Sequence, residues 1–479
     1  MDILSELEGD MAPEEGERFL RIVAEYFART RTGEGPVSTP HTAAELMARF
    51  AEPLPRTGMP LSRVVERVER DIIPDANKLY HPMYMGHQVS APLPAAVWME
   101  SVTAALNQST AVWEMSPTGT VIETQVVRWL CELAGFDGES GGTMTTGGTE
   151  ATFTALLAAR AAALPNAWRD GVPAGADAPV ILHGEHAHYA VTRAAGELGL
   201  GMRSAVSIPS RDWRIDVRAL RERIDALRAE GRRIMAVVAT AGSTATGSFD
   251  DLTAVADVCD ANGLWLHVDA AHGGSALLSA THRHRVAGLA RARSVAWDPH
   301  KMMLLPLSAG VVLMRDERDL EAAFTQRAPY LFHGAAEGER GWDQGPRSFM
   351  CSRRADAFKV WVALQRYGSE GLGALYDRLC DTTRVLYEIL RARRDFTAPH
   401  EPESNILCFR YAPEGASDEE VDEINRTLRE RYNRRGAGWI TTTVLGGRRV
   451  LRVTIMNPRT GREHVERLVD GLVREGVRG

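Results

Sequence analysis

The sequence predicts an α/β fold built on a mainly parallel sheet, and two observations carry that prediction. Between about Met85 and Gly345, short apolar runs recur: Pro179-Val180-Ile181-Leu182, Met235-Ala236-Val237-Val238-Ala239, Leu264-Trp265-Leu266-His267-Val268, Ser294-Val295-Ala296-Trp297 and Gly310-Val311-Val312-Leu313-Met314. A run that is apolar throughout suits a strand covered on both faces, as in a parallel sheet. The runs are also separated by helical stretches such as Leu252 to Ala261, which provide the crossovers. The elements around this region follow in order. Residues 1–84 read as a helical arm, with apolar periodicity at Phe19, Leu20, Ile22, Val23, Tyr26 and Phe27, broken by Pro53, Pro55 and Pro60. Residues 85–355 form the large domain. After Arg353 the pattern turns helical through Gly371. The runs Asn405 to Arg410 and Arg449 to Ile455 then complete a smaller α/β domain over 356–479.

Composition narrows the class. The 479 residues are 44% apolar and 25% charged with no long uncharged apolar run, so a globular chain with ample core is expected and a membrane span is not. The acidic start, Met1-Asp2-Ile3-Leu4-Ser5-Glu6, lacks the basic and apolar regions of a secretory signal, and a cytoplasmic location is expected. Five scattered cysteines with no C-x-x-C spacing point to buried thiols rather than a disulfide frame or zinc cage. A formal charge of -7 gives no electrostatic reason to expect nucleic acid or an anionic membrane as partner.

Only three of the 56 cationic residues are lysines: Lys78, Lys301 and Lys359. Where a solvated positive charge suffices this chain uses arginine, so a retained lysine invites a task that needs an amine. A lysine amine can lose its proton and attack a carbonyl, which a guanidinium cannot do. Lys301 closes the string Trp297-Asp298-Pro299-His300-Lys301 at the end of an apolar run.

Three further motifs accompany it. Thr145-Thr146-Gly147-Gly148-Thr149-Glu150 precedes a strong helix and reads either as an anion site at the helix N-terminus or as a plain glycine turn with a threonine cap. It lacks the Gly-Lys-Ser/Thr ending of a nucleotide loop. The run Leu264 to Asp269 ends in a carboxylate, followed by Ala270-Ala271-His272-Gly273-Gly274. A carboxylate there faces the crevice where open α/β sheets bind ligands, and could meet a protonated ring nitrogen beside the small Ala271; the other reading is a helix cap. In His183-Gly184-Glu185-His186-Ala187-His188 the spacing is wrong for a helical metal pair, so no metal is expected. One of these imidazoles could stack on a flat ligand or be an ordinary core histidine.

Taken together, Asp298-Pro299-His300-Lys301, His267 to Gly274 and Gly147-Gly148-Thr149 resemble the pyridoxal-phosphate-dependent group II amino-acid decarboxylases. The likeness is strongest to the glutamate and cysteine-sulfinate decarboxylase branch and covers roughly residues 80 to 470. It extends through Ala239 to Thr244, Tyr330-Leu331-Phe332 and Arg452-Val453-Thr454-Ile455-Met456-Asn457-Pro458. The resemblance implies fold type I, the aspartate-aminotransferase-like architecture with a seven-stranded sheet, and pyridoxal 5′-phosphate as cofactor. It makes Lys301 the lysine that binds the cofactor covalently and Asp269 the partner of its ring nitrogen. His188 would stack on the ring opposite Ala271, Gly148, Thr149 and His300 would hold the phosphate, and Ser243 and Thr244 would lie near the ring substituents or substrate. Tyr330, on a lid from about Ala328 to Arg347, would protonate the substrate carbon, and Arg452, with Ser90 and Gln88, would bind the substrate. A homodimer with active sites at the interface, its N-terminal arm wrapping the partner, is also implied.

The expected activity is that of a carboxy-lyase converting an L-amino acid to its amine and carbon dioxide, with glutamate, aspartate or cysteine sulfinate favoured. Aromatic or basic substrates such as diaminobutyrate, and an oxidative decarboxylase making aldehydes, are the alternatives, with a cofactor-free interaction protein on the same fold a rival from another class. The sequence departs from the glutamate branch at His272, where tryptophan is usual, at Asp298, where asparagine is usual, and at Trp342, where tyrosine is common.

Overall fold

The structure, a computed structural model, describes residues 3–39, 41–324, 328, 332 and 341–477. The chain divides into two compact units. One comprises Ser90–Asp381 and His400–Leu407, the other Met1–Val89, Thr382–Pro399 and Cys408–Gly479.

The first unit is organised by a seven-stranded sheet. Its strands are β1 (Gly141–Thr145), β2 (Val180–Gly184), β3 (Ala205–Ile208), β4 (Ile234–Thr240), β5 (Trp265–Asp269), β6 (Ser294–Trp297) and β7 (Gly310–Met314), in the order β1-β7-β6-β5-β4-β2-β3. Only β7 runs against its neighbours; the β3-β2, β2-β4, β4-β5 and β5-β6 pairs are parallel. All five apolar runs of the large domain are strands, and the mixed, mostly parallel α/β sheet is the one expected. Parallel strands open their carboxyl ends on one edge, so residues just beyond β4, β5 and β6 share a crevice.

Two strands of this sheet were not evident in the sequence. β1 begins Gly141-Gly142, a weak strand signal, because backbone crowds it: a Cβ on Gly142 would lie 2.2 Å from the Val312 carbonyl oxygen of β7. β3 is four residues long with a half-exposed start and offers little pattern to read.

Helix Gly148–Ala163 lies on this sheet through small residues. Ala151, Ala155, Ala158 and Ala159 are buried against Ile181, Val238, Ala296 and Val312, so the helix axis can approach closely without a cavity. Helix Leu252–Asn262 starts where Asp251 accepts a hydrogen bond from the Ala254 amide and stops at Gly263, whose φ of 61° only glycine adopts freely.

The second unit carries a four-stranded sheet of β8 (Phe396–Thr397), β9 (Ile406–Tyr411), β10 (Thr441–Leu445) and β11 (Arg448–Thr454), ordered β8-β9-β11-β10. The expected helical periodicity near the N-terminus forms helix Pro13–Thr30. Main-chain bonds tie the N-terminal segment to the C-terminal strands: Met85 N donates to Trp439 O (2.9 Å), Trp439 N to Met83 O (3.0 Å), and Thr454 N to Met85 O (3.1 Å). Gly86 lies so close to the Trp439 ring that a Cβ would be 2.4 Å from it. Among the described residues no helix is long and apolar enough to cross a membrane.

Candidate active site

A cavity of about 360 Å³ opens at the carboxyl ends of β1, β4, β5 and β6, within the first unit. That volume suits a small aromatic ligand. β5 delivers Asp269 to it, and its register partner on β4 delivers Thr240. The loop after β6 supplies Asp298, His300 and Lys301, the turn after β1 supplies Gly147, Gly148 and Thr149, and the segment after β2 supplies His188. Ala271, His272 and Thr244 complete the parts of the lining that bear on its chemistry. Residues scattered from 146 to 307 thus converge because each follows a strand end.

Asp269 is 8% exposed, and its Oδ1 accepts a hydrogen bond from Ala271 N at 3.1 Å. Burial pushes its carboxyl up from the ordinary range, against the opposing pull of the Lys301 cation, the Ala271 amide and His188. A cation placed against this carboxylate would relieve the cost of burying it. His188 is held neutral by burial, and its Nδ1 accepts from Ala190 N at 3.3 Å, so an uncharged ring faces the cavity.

Lys301 Nζ lies 3.0 Å from Asp298 Oδ2. Asp298 Oδ2 is also 3.5 Å from His300 Nε2, and Asp298 is almost fully buried. The His300 ring is fixed because its Nδ1 accepts from Ala309 N (3.0 Å), which leaves the proton of the neutral ring on Nε2. Burial lowers the His300 pKa, with Asp298 opposing and the Lys301 cation assisting.

Gly148 opens helix Gly148–Ala163 and permits close approach. A Cβ there would lie 2.7 Å from the Ala271 Cβ and 3.1 Å from Asp298 Oδ2, so any side chain would fill the cradle. Glu150 reaches back over the turn, its Oε2 accepting from Thr146 N (2.9 Å) and Thr146 Oγ1 (2.7 Å). The amides at the start of this helix therefore edge the cavity as anion donors.

The structure brings together Lys301, Asp269, Ala271, His188, Gly148, Thr149, Thr244 and His300, all of which line the cavity. The residues expected at the substrate are placed otherwise. Ser90 does not line it; it is 2% exposed, with its hydroxyl 3.3 Å from both the His300 and Leu305 carbonyls. Gln88 is half-buried in the second unit. Arg452 lies in that unit on β11, buried, with Nη1 3.4 Å from Thr441 Oγ1 and its pKa lowered by burial. Tyr330 lies outside the described residues. Among the lining residues not singled out as cofactor contacts, Thr240 and Asp298 had a usable signal. Each stands one residue beyond an apolar strand run, as Asp269 does. His272 joins the lining through position alone, its Nε2 2.7 Å from Asn405 Oδ1.

A profile of the pyridoxal-dependent decarboxylase conserved domain matches residues 44–412. The L-2,4-diaminobutyrate decarboxylase of Rhizobium meliloti (strain 1021) is 33% identical over 422 residues, covering 88% of this chain and 83% of that protein. The cysteine sulfinic acid decarboxylase of Rattus norvegicus is 32% identical over 426 residues, 86% of each chain. The crystal structure of mouse CSAD aligns with a TM-score of 0.89 at 28% identity, covering 96% of this chain and 98% of that one.

Fold and likeness define a fold type I enzyme that uses pyridoxal 5′-phosphate. The chain belongs to the pyridoxal-dependent decarboxylase family, and its activity is that of an amino-acid decarboxylase, a carboxy-lyase.

Proposed function

We propose that the chain removes the α-carboxylate of an acidic L-amino acid, glutamate, aspartate or cysteine sulfinate, at the cavity that holds Lys301. The observation that carries the site assignment is the convergence of an amine, a buried carboxylate, a neutral imidazole and a helix N-terminus on one cavity. This set fits pyridoxal 5′-phosphate. Asp269 would answer a cationic ring nitrogen, and Ala271 and His188 would offer a small residue and a flat ring to it. Gly148, Thr149 and His300 would hold the phosphate, Thr244 would be near the ring substituents, and Lys301 would hold the aldehyde carbon.

When bound, the cofactor supplies the electron sink that accepts the bonding pair of the Cα–carboxylate bond. Asp269 would keep that sink cationic by its charge. Lys301 would be the amine that holds the cofactor when no substrate is bound. Tyr330 would give the proton to Cα. The rat relative supports the acidic preference.

A second reading is a cationic substrate of the 2,4-diaminobutyrate type. The likeness to the Rhizobium meliloti protein supports it, as does the charge of the lining, where Glu150, Asp269 and Asp298 outnumber the Lys301 cation and no arginine stands among the described lining residues. A panel of glutamate, aspartate, cysteine sulfinate, tyrosine, tryptophan and diaminobutyrate, scored by amine product, decides between them. Amine from an acidic substrate alone is the expected result; preference for diaminobutyrate would establish the second reading. Aldehyde and ammonia in place of amine would overturn the role of Tyr330.

The working assembly is proposed to be a cytoplasmic homodimer, with the arm of one protomer against its partner. Exposed apolar residues along the first helices, including Leu4, Leu7, Phe19 and Leu20, support this. Sizing chromatography is expected to give twice the chain mass, and active monomer would refute it.

A further inference from the structure

Lys359, the third lysine, is almost completely buried at 1% exposure, in helix Ala357–Arg391. Its Nζ lies 2.6 Å from Glu100 Oε1, 2.9 Å from Asp356 Oδ1 and 2.8 Å from the Ser308 carbonyl oxygen. Two carboxylates pair with the ammonium and the Ser308 carbonyl accepts a hydrogen bond from it. A guanidinium brings five donors in a rigid plane, a different geometry from the compact ammonium held here. Charge is balanced as well, since Arg354 Nη1 pairs with both Glu100 (2.6 Å) and Asp356 (3.0 Å).

Of the three contacts, the Ser308 carbonyl leads to the cavity. The next residue, Ala309, grips His300 twice, its amide donating to the ring Nδ1 (3.0 Å) and its carbonyl accepting from His300 N (3.1 Å). Through that grip the imidazole is held beside Gly147, whose Cβ position is 3.3 Å from the ring Cε1. The Lys359 cation also assists burial in keeping His300 neutral, against Asp298. From the other side, Ser90 bonds the His300 and Leu305 carbonyls, and Leu93 N donates to Leu304 O at 2.7 Å. The loop carrying Lys301 is thus fastened at several carbonyls, and Lys359 is the only charged side chain among those fasteners in the described residues.

We propose that Lys359 is a positioning residue for the cofactor phosphate, acting through Ser308 and Ala309 on the ring of His300. The inference rests on the assignment of His300 to the phosphate. It separates two cofactor forms that differ only in that group. In the full-length chain freed of cofactor, dissociation constants for pyridoxal 5′-phosphate and for pyridoxal are measured by tryptophan fluorescence. Lys359→Met is expected to weaken the phosphorylated form about tenfold or more, as loss of a charged hydrogen bond does, and to leave pyridoxal within about twofold. Lys359→Arg is expected to share the defect because a planar guanidinium cannot keep the ammonium's geometry toward the Ser308 carbonyl. His300→Ala should reproduce the change, and Lys359→Met should add nothing to it.

The ratio of the two constants also protects the test against partial unfolding, which removes binding of both forms alike. An unchanged ratio in Lys359→Met, or full additivity with His300→Ala, overturns the role of Lys359. A His300→Ala variant that binds both forms like the wild type overturns the phosphate assignment instead.

Discussion

Lys301→Ala is expected to lower turnover by roughly 10⁴-fold or more, the scale of loss when an enzyme loses its covalent nucleophile. Borohydride should no longer fix the cofactor to the chain, and mass spectrometry of a digest checks this at the peptide containing residue 301. A second effect follows from the ion pair. Lys301 Nζ sits 3.0 Å from Asp298 Oδ2, and Asp298 is 2% exposed against 20% for the lysine side chain. Removing the amine leaves a buried carboxylate without its ion-pair partner, His300 Nε2 lying 3.5 Å away. A fully buried pair broken in this way costs about 3–5 kcal/mol, and the partial exposure of Lys301 brings the expected loss to about 1–2 kcal/mol. Lys301→Arg separates the two effects. A guanidinium can still pair with Asp298, so stability should recover in thermal melts, but it cannot attack a carbonyl and turnover should not return. Normal turnover in either variant would sink the assignment of Lys301.

Much of this site was legible because strand ends are legible. Asp269 stands at the close of an apolar run, and so does the string that leads to Lys301; in a parallel sheet such ends share an edge. The same rule reaches Thr240 and Asp298, which the motifs drew attention to less because neither belongs to an obvious cofactor contact. Strands that depend on close backbone approach left little trace: Gly141-Gly142 is a weak strand signal, and the closeness of the Val312 carbonyl accounts for it. Lys359 was illegible for a different reason. Its three partners are Glu100, Asp356 and Ser308, and no local pattern joins those positions. Scarcity marked all three lysines equally. Context along the chain could single out Lys301, but only packing in space distinguishes Lys359 from Lys78, whose exposed amine bonds the Pro36 carbonyl. Ser90 shows the converse: its hydroxyl was expected at the substrate, yet it bonds carbonyls beneath the Lys301 loop.

Asp269→Asn should separate stability from activity in the opposite sense to Lys301→Ala. Asparagine keeps an oxygen to accept from Ala271 N but carries no charge, so it cannot hold a ring nitrogen cationic. Turnover is expected to fall about 10²–10³-fold, the range for removal of one preorganised electrostatic partner. The cofactor should still be fixed by borohydride, because Lys301 is untouched. Stability runs the other way. Burial raises the Asp269 pKa in the folded chain above its unfolded value, so the folded state holds its proton more tightly. Its contribution to stability is therefore present at low pH and is lost as pH rises through the folded pKa. Asparagine does not titrate. The thermal midpoint of the cofactor-free variant should match the wild type in acid and exceed it increasingly as the solution is brought to neutral pH. A variant less stable than the wild type at neutral pH, with turnover unimpaired, would show that Asp269 is a structural carboxylate already satisfied by Lys301 and the Ala271 amide. Loss of turnover together with higher stability would mark a charge kept in the fold for the cofactor at the expense of the fold itself.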